Sequence, residues 1–248
     1  MNSLFEIVME TLDPDSLEIQ NDFNRDIWEE DDKLDPVITE RLMAIAQDFL
    51  DKLKMSNLEI HDIILTGSLA NYNWSKYSDF DLHIVVDFKQ VDDNVKLGKD
   101  FFDAKKTIWN RTHAIFLRDY EVEIYVQDRG EAHESNGIYS VMYDKWTVKP
   151  QYGELRVDKQ NSVKKAEDIA RQIDDAEKLF RKENFEQAEA RVQQIKDKIK
   201  KMRSSGLETG GVYSVENLAF KLLRRSEDIK RLMELGTDSY DKKMSLDN

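Results

Sequence analysis

The stretch SDFDLHIVVDF, Ser78 to Phe88, reads as a β-strand that carries two acids, Asp79 and Asp81, where it otherwise runs apolar. Successive side chains of a strand point to opposite faces, so residues two apart share one, and Asp79 and Asp81 point the same way. Two carboxylates side by side repel each other, and burying either without a partner is costly. A fold built on this strand therefore has to bring positive charge to that face.

The neighbouring segments supply the rest of a sheet. LEIHDIIL (58–65) reads as a strand ending at Thr66, with Gly67-Ser68 as the turn that follows. YEVEIYVQD, Tyr120 to Asp128, is the clearest third strand: Val122, Ile124 and Val126 point one way, and Glu121, Glu123 and Tyr125 the other. Between them, residues 94–112 have helical spacing, with Leu97, Phe101 and Ile108 on one stripe and Phe102 and Trp109 beside it. A helix is also expected over Val37–Leu53, where Val37, Ile38, Leu42, Ile45, Ala46, Phe49, Leu50 and Leu53 recur at helical spacing. GIYSVMYDKWTVK adds strand or hairpin structure before Pro150. Helices and strands around one mixed sheet make an α+β layer arrangement.

The flanking segments differ in character. Residues 3–12 look like a short amphipathic helix, and 13–36 is acidic and broken by Pro14 and Pro36, which predicts a loosely packed connector. After 150 the pattern is helical. Ala166, Ile169, Ala170, Ile173, Ala176 and Phe180 form one apolar stripe, and Phe185, Ala188, Val192, Ile195, Ile199 and Met202 form a second. Gly206, Gly210 and Gly211 interrupt; Ser214 is placed to cap a third helix carrying Val215, Leu218, Leu222, Ile229 and Leu232. Three stripes predict a C-terminal helical bundle. The expected division is 1–36, 37–150 and 151–248.

Charge follows that division. Residues 151–248 hold 21 basic against 19 acidic side chains, which leaves 16 against 31 in the first 150. So acidic a first part disfavours nonspecific binding to nucleic acid, since phosphate contacts need local positive charge, but not a small nucleotide accompanied by metal ions. A composition 40% hydrophobic and 35% charged fits a soluble globular chain rather than a disordered one. The absence of cysteine excludes disulfides and thiolate metal sites, and fits a reducing compartment. With neither a secretion-like start nor a membrane-spanning apolar run, the expectation is a cytoplasmic protein with no membrane partner.

Gly67-Ser68, then Ser78-Asp79-Phe80-Asp81, then Glu123 inside VEIYV resembles the signature of the polymerase-β-like nucleotidyltransferase superfamily. The resemblance covers about 58–128. It implies a metal-dependent enzyme that moves an NMP from an NTP to an acceptor hydroxyl (an RNA 3′ end, a protein or a small molecule) with release of pyrophosphate. By resemblance, Asp79, Asp81 and Glu123 are catalytic and hold two Mg²⁺ or Mn²⁺ ions, while Gly67 and Ser68 receive the phosphates at the start of a helix. Those residue types suit the chemistry. Phosphoryl transfer needs placement and charge neutralisation more than covalent help, and carboxylates make a hard, oxygen-only site for such ions. A glycine lets the backbone approach phosphate, and a helix N-terminus offers it N–H groups. Glu121 shares a face with Glu123 and is the alternative third acid.

Other residues divide between functional and ordinary readings. Lys76 and Lys105 are candidate nucleotide ligands, with Lys106, Arg111, Asn71 and Tyr72 near the same elements, although helix-surface cations are normally just solvated. His83 fits a structural hydrogen-bonding role better than a catalytic one. His113 and His133 have no spacing that specifies a metal site. The basic runs RVQQIKDKIKKMR (191–203) and KLLRRSEDIKR (221–231) could hold an RNA end or an acidic partner, and are more simply solvated helix faces. Residues 214–246 are similar to the C-terminal part of predicted nucleotidyltransferases of tailed bacteriophages. Two other readings remain: a catalytically silent nucleotide- or partner-binding module of antitoxin type, and a glycosyltransferase using Asp-x-Asp, in which the upstream Gly-Ser has no role.

Overall fold

A computed structural model describes residues 12–55, 58–132, 135–153 and 157–245. The chain divides into two compact units, Ile19–Gly153 and Met1–Glu18 with Glu154–Asn248. Apart from Leu12, the helix expected over 3–12 lies outside the described residues, as does His133.

The first unit is built on a six-stranded mixed sheet. Its helices are α1 (Pro36–Leu53) and α2 (Val95–Thr112), and its strands are β1 (Ile60–Thr66), β2 (Asp79–Val86), β3 (Phe116–Leu117), β4 (Tyr120–Asp128), β5 (Ile138–Ser140) and β6 (Lys145–Val148). The strand order is β3-β4-β2-β1-β5-β6. β2 runs antiparallel to β1 and parallel to β4, the α2 crossover allowing the parallel pairing. One face is apolar: Phe80, Leu82, Ile84 and Val86 of β2 and Val122, Ile124 and Val126 of β4 are buried in one core with Leu42, Ala46 and Phe49 of α1. Strand alternation then sends Asp79, Asp81, His83, Glu121, Glu123 and Tyr125 to the opposite face.

β3 is too short to cover β4, pairing only with Tyr120 and Glu121. Further along, the backbone of Ile124 finds its partner in a side chain. The amide of Asn110, on α2, donates to Ile124 O at 3.0 Å and accepts from Ile124 N at 3.1 Å. An exposed edge strand is thereby closed by a helix. The stripe expected on α2 is rotated: Phe102 and Trp109 are buried, whereas Leu97 and Ile108 are 54% and 61% exposed. Two interleaved stripes on an eighteen-residue helix cannot both face one sheet.

The expected loose connector is instead partly core. Phe23, Ile27, Trp28 and Leu34 are each at most 2% exposed. Trp28 stacks on Trp146 at 4.7 Å and meets Tyr139 edge-on, while Phe23 stacks on Tyr72. Trp28 Nε1 donates to Leu69 O at 2.8 Å, so this segment pins the turn that follows β1. High acidity concealed four anchoring side chains. Asp35 supplies the N-cap of α1, accepting from Val37 N and Ile38 N, with Pro36 at the first helical position.

The second unit has four α-helices among its described residues: α3 (Lys159–Arg181), α4 (Phe185–Gly210), α5 (Val215–Arg225) and α6 (Asp228–Met244). Ile169 and Ile173 of α3, Val192 and Ile195 of α4, Leu218 and Leu222 of α5, and Leu232 of α6 form its core, joined by Leu17. Ser214 caps α5 as expected, accepting from Asn217 N. Two expectations fail. Gly206 does not interrupt α4 but lies inside it, where an added Cβ would come within 2.5 Å of Glu216 Cβ. The third stripe is two helices, parted at Ser226-Glu227, with Glu227 in the left-handed region at φ 59°. No helix among the described residues is long and apolar enough to cross a membrane.

Candidate metal centre

Sheet register assembles the site. Thr66 of β1 is the partner of Asp81 on β2, and Asp81 is the partner of Glu123 on β4, so three adjacent strands contribute one row. Asp79 and Glu121 form the row before it, His83 and Tyr125 the row after. Asp79, Asp81 and Glu123 each offer an oxygen, these oxygens lie within 4.8 Å of one another, and all three residues are half-buried. Glu121 is adjacent but does not join this set. Burial pushes its carboxyl above the ordinary range, helped by the negative charges of Glu123 and Asp79.

Gly67 follows β1 directly and lies against Asp81. Its φ is +77°, and an added Cβ would lie 1.7 Å from Asp81 Oδ2. Glycine is demanded twice there, by backbone conformation and by the space the carboxylate fills. The next residues form a turn rather than the expected helix start: Asn71 N donates to Ser68 O at 3.1 Å, and no helix follows before β2. Ser68 therefore offers a hydroxyl and turn amides, without a helix N-terminus behind them. Its Oγ is 2.7 Å from Oγ of Ser78, the residue before Asp79, and Ser78 Oγ accepts from Ser75 N at 3.0 Å. Apolar packing beneath, through fully buried Leu69 and Ala70, fixes the turn.

The row after the acids is aromatic. Tyr125 OH donates to Glu123 Oε2 at 2.6 Å, and burial together with that carboxylate pushes the phenol pKa well up, keeping its proton on. His83 stacks on the Tyr125 ring with centroids 4.9 Å apart, and its Nδ1 hydrogen-bonds Gln127 Oε1 at 3.0 Å. His83 thus has a hydrogen bond of the kind expected of it. These residues line a cleft of about 610 Å³ with Thr66, Lys99, Asp103 and Lys106.

The lysine candidates separate. Lys106 stands over the Tyr125 ring at 4.8 Å and pairs with Asp103 at 2.9 Å. Lys105 lies instead with Phe49, Leu53, Ile108 and Trp109, and is not brought to the acids. One helical residue turns a side chain by about 100°, so Lys106 shares the cleft with Lys99 and Asp103 while Lys105 leaves it. Lys76 is exposed in the turn before β2, with its ammonium 4.8 Å from the Tyr77 ring centroid. Tyr72 is occupied by Phe23, and His113 pairs with Lys52. Of the basic runs, Arg225 donates to Ser16 O and Arg231 binds Asp174, so both are committed within their own unit. Reasoning from sequence overlooked Tyr125; its signal was the two-residue spacing from Glu123 on the same strand face.

The three carboxylates fit a hard divalent ion such as Mg²⁺ or Mn²⁺: all donors are oxygen, they converge, and the missing side chain of Gly67 gives the Asp81 carboxylate its place among them. No family model, no curated protein and no solved structure matches this chain.

Proposed function

We propose that this chain is a metal-dependent nucleotidyltransferase of the polymerase-β-like type, transferring an NMP from an NTP to an acceptor hydroxyl. The observation that carries the reading is the convergence of Asp79, Asp81 and Glu123 beside a turn whose glycine has no room for a side chain. Asp79, Asp81 and Glu123 would hold Mg²⁺ or Mn²⁺, two ions being the expectation. When bound, the metal neutralises phosphate oxygens and lowers the pKa of the acceptor hydroxyl. Gly67 and Ser68 border the place for the outer phosphates, and Lys106 and Lys99 line the neighbouring cleft, each paired there with an acid, Asp103 and Glu131. In the reaction the acceptor oxygen bonds to the α-phosphorus, the bond from that phosphorus to pyrophosphate breaks, and the hydroxyl proton is released. The lack of cysteine suits work in a reducing cytoplasm.

The test is incubation with each labelled NTP and Mg²⁺ or Mn²⁺, followed by mass spectrometry of lysate, RNA and the protein itself to find the nucleotidylated acceptor. Pyrophosphate release is expected, falling about 10³-fold in Asp79→Ala, the order of several kcal/mol of lost charge stabilisation. Nucleotide binding without turnover on every acceptor would replace this reading with the silent binding module.

A further inference from the structure

We infer that Tyr125 is a positioning residue for the third metal ligand, acting through its hydrogen bond to Glu123; this rests on the metal-binding reading above. Glu123 and Tyr125 stand two residues apart on β4, so they share the acidic face, and the phenol reaches back along the strand to Glu123 Oε2 at 2.6 Å. A glutamate has three rotatable bonds, and its carboxylate faces the like charges of Asp79 and Asp81 within 4.8 Å. Left alone, repulsion would turn Glu123 away from them. The phenol opposes this by holding one carboxylate oxygen in a charge-assisted hydrogen bond, which leaves the other oxygen and its remaining lone pairs to a cation.

The phenol is itself held. His83, its partner in the β2–β4 register, stacks on the ring, and Gln127 fixes the imidazole through Nδ1. Lys106 stands over the same ring, its position set partly by Asp103. The order of support runs Gln127 to His83 to Tyr125 to Glu123, with only the last facing the metal. Residues that orient a ligand in this way typically contribute 10–100-fold in metal affinity. The ring and the hydroxyl can be separated: phenylalanine keeps the stack on His83 and removes only the donor.

Mn²⁺ binding, read by the loss of the free-ion electron paramagnetic resonance signal, tests this on the intact protein without any turnover. Wild type should bind, Asp79→Ala should not, and Tyr125→Phe should bind about 10-fold more weakly with its thermal unfolding midpoint little changed. The effect should also depend on its target: in a Glu123→Gln background, Tyr125→Phe should change Mn²⁺ affinity less than twofold. Equal affinities for wild type and Tyr125→Phe, with Asp79→Ala still defective, overturn the inference and leave the metal site standing. The same is true if Tyr125→Phe costs as much with Gln at 123 as with Glu. Wild type that fails to bind Mn²⁺ at millimolar concentration overturns both.

Discussion

Arg231 in the helical unit and Asp81 in the sheet unit are both charged side chains set among acids, and they differ in their own sign: Arg231 is opposite to its acidic neighbours, Asp81 like them. Arg231 Nη2 lies 2.8 Å from Asp174 and 3.0 Å from Asp228, and its Nε is 3.4 Å from Glu177. Opposite charges there offset one another within the fold. On the sheet, Asp81 sits with Asp79 and Glu123, and Glu121 nearby is pushed up by burial and by Glu123 and Asp79. In the helical unit the charge of Arg231 is met by acids of the same unit. The sheet unit keeps a cluster of like charge that nothing in packing requires, since the apolar face of the same strands already supplies the core. A cluster of acids on the face that the core does not use is a candidate for function.

The largest test of that contrast is Gly67→Ala. At φ +77° and with its Cβ directed at Asp81 Oδ2, alanine has to displace either the turn or the carboxylate. The expected cost is about 2–3 kcal/mol of stability by urea titration, with loss of Mn²⁺ binding. Full stability with intact binding would mean that the turn and the acids are not mechanically joined.

Arg231→Ala comes next. It removes a cation that Asp174, Glu177 and Asp228 share, and because Arg231 is 27% exposed the cost is expected near 2 kcal/mol, between surface and buried pairs. Mn²⁺ affinity should stay unchanged. A neutral outcome for stability would remove the helical side of the contrast.

How much of this was legible beforehand follows from where the signals are local. β2 and β4 announce themselves through alternation and β1 through its apolar run before Gly67, and the acids fall on one face by the two-residue repeat alone. Which acids meet depends on register, a tertiary property: Asp81 faces Glu123 and Asp79 faces Glu121, and nothing local selects that pairing over a slip of two. The packing of Phe23, Ile27, Trp28 and Leu34 was hidden by the acids around them, because their partners Tyr72, Tyr139 and Trp146 are distant in sequence. Gly206 misled for the opposite reason: a glycine that looks like a breaker is there to admit Glu216 and Ser214 against α4. Lys105 and Lys106 were inseparable until the rotation of α2 was known.

Mn²⁺ itself offers a smaller probe of the same contrast. A ligand that binds only the folded state adds about 1.4 kcal/mol at ten times its Kd. The ion should raise the urea midpoint of wild type by that order and leave Asp81→Asn unmoved. Equal shifts in both proteins would place the bound ions elsewhere on an acidic surface.

The smallest effect expected is also the one that sets the two units against each other most directly, through the pH dependence of two glutamates. Glu121 has its carboxyl raised above the ordinary 4.5 by burial, then by Glu123 and Asp79. Its folded form holds its proton more tightly than its unfolded form, so stability falls as pH rises from 4.5 through the raised value. Glu216, on α5, has its carboxyl lowered below 4.5 by its hydrogen bond with Lys165 and by its own backbone N–H. Its contribution is complete above 4.5 and is lost as pH falls through the lowered value. In metal-free buffer Glu121→Gln should therefore stabilise at pH 7 and become neutral below about 4.5. Glu216→Gln should destabilise at pH 7, and its effect should fade only under more acid conditions than those that silence Glu121→Gln. Urea midpoints across that range measure both. If Glu121→Gln costs stability at pH 7, the carboxylate has a favourable partner on the acidic face, and the like-charge account of that face is wrong.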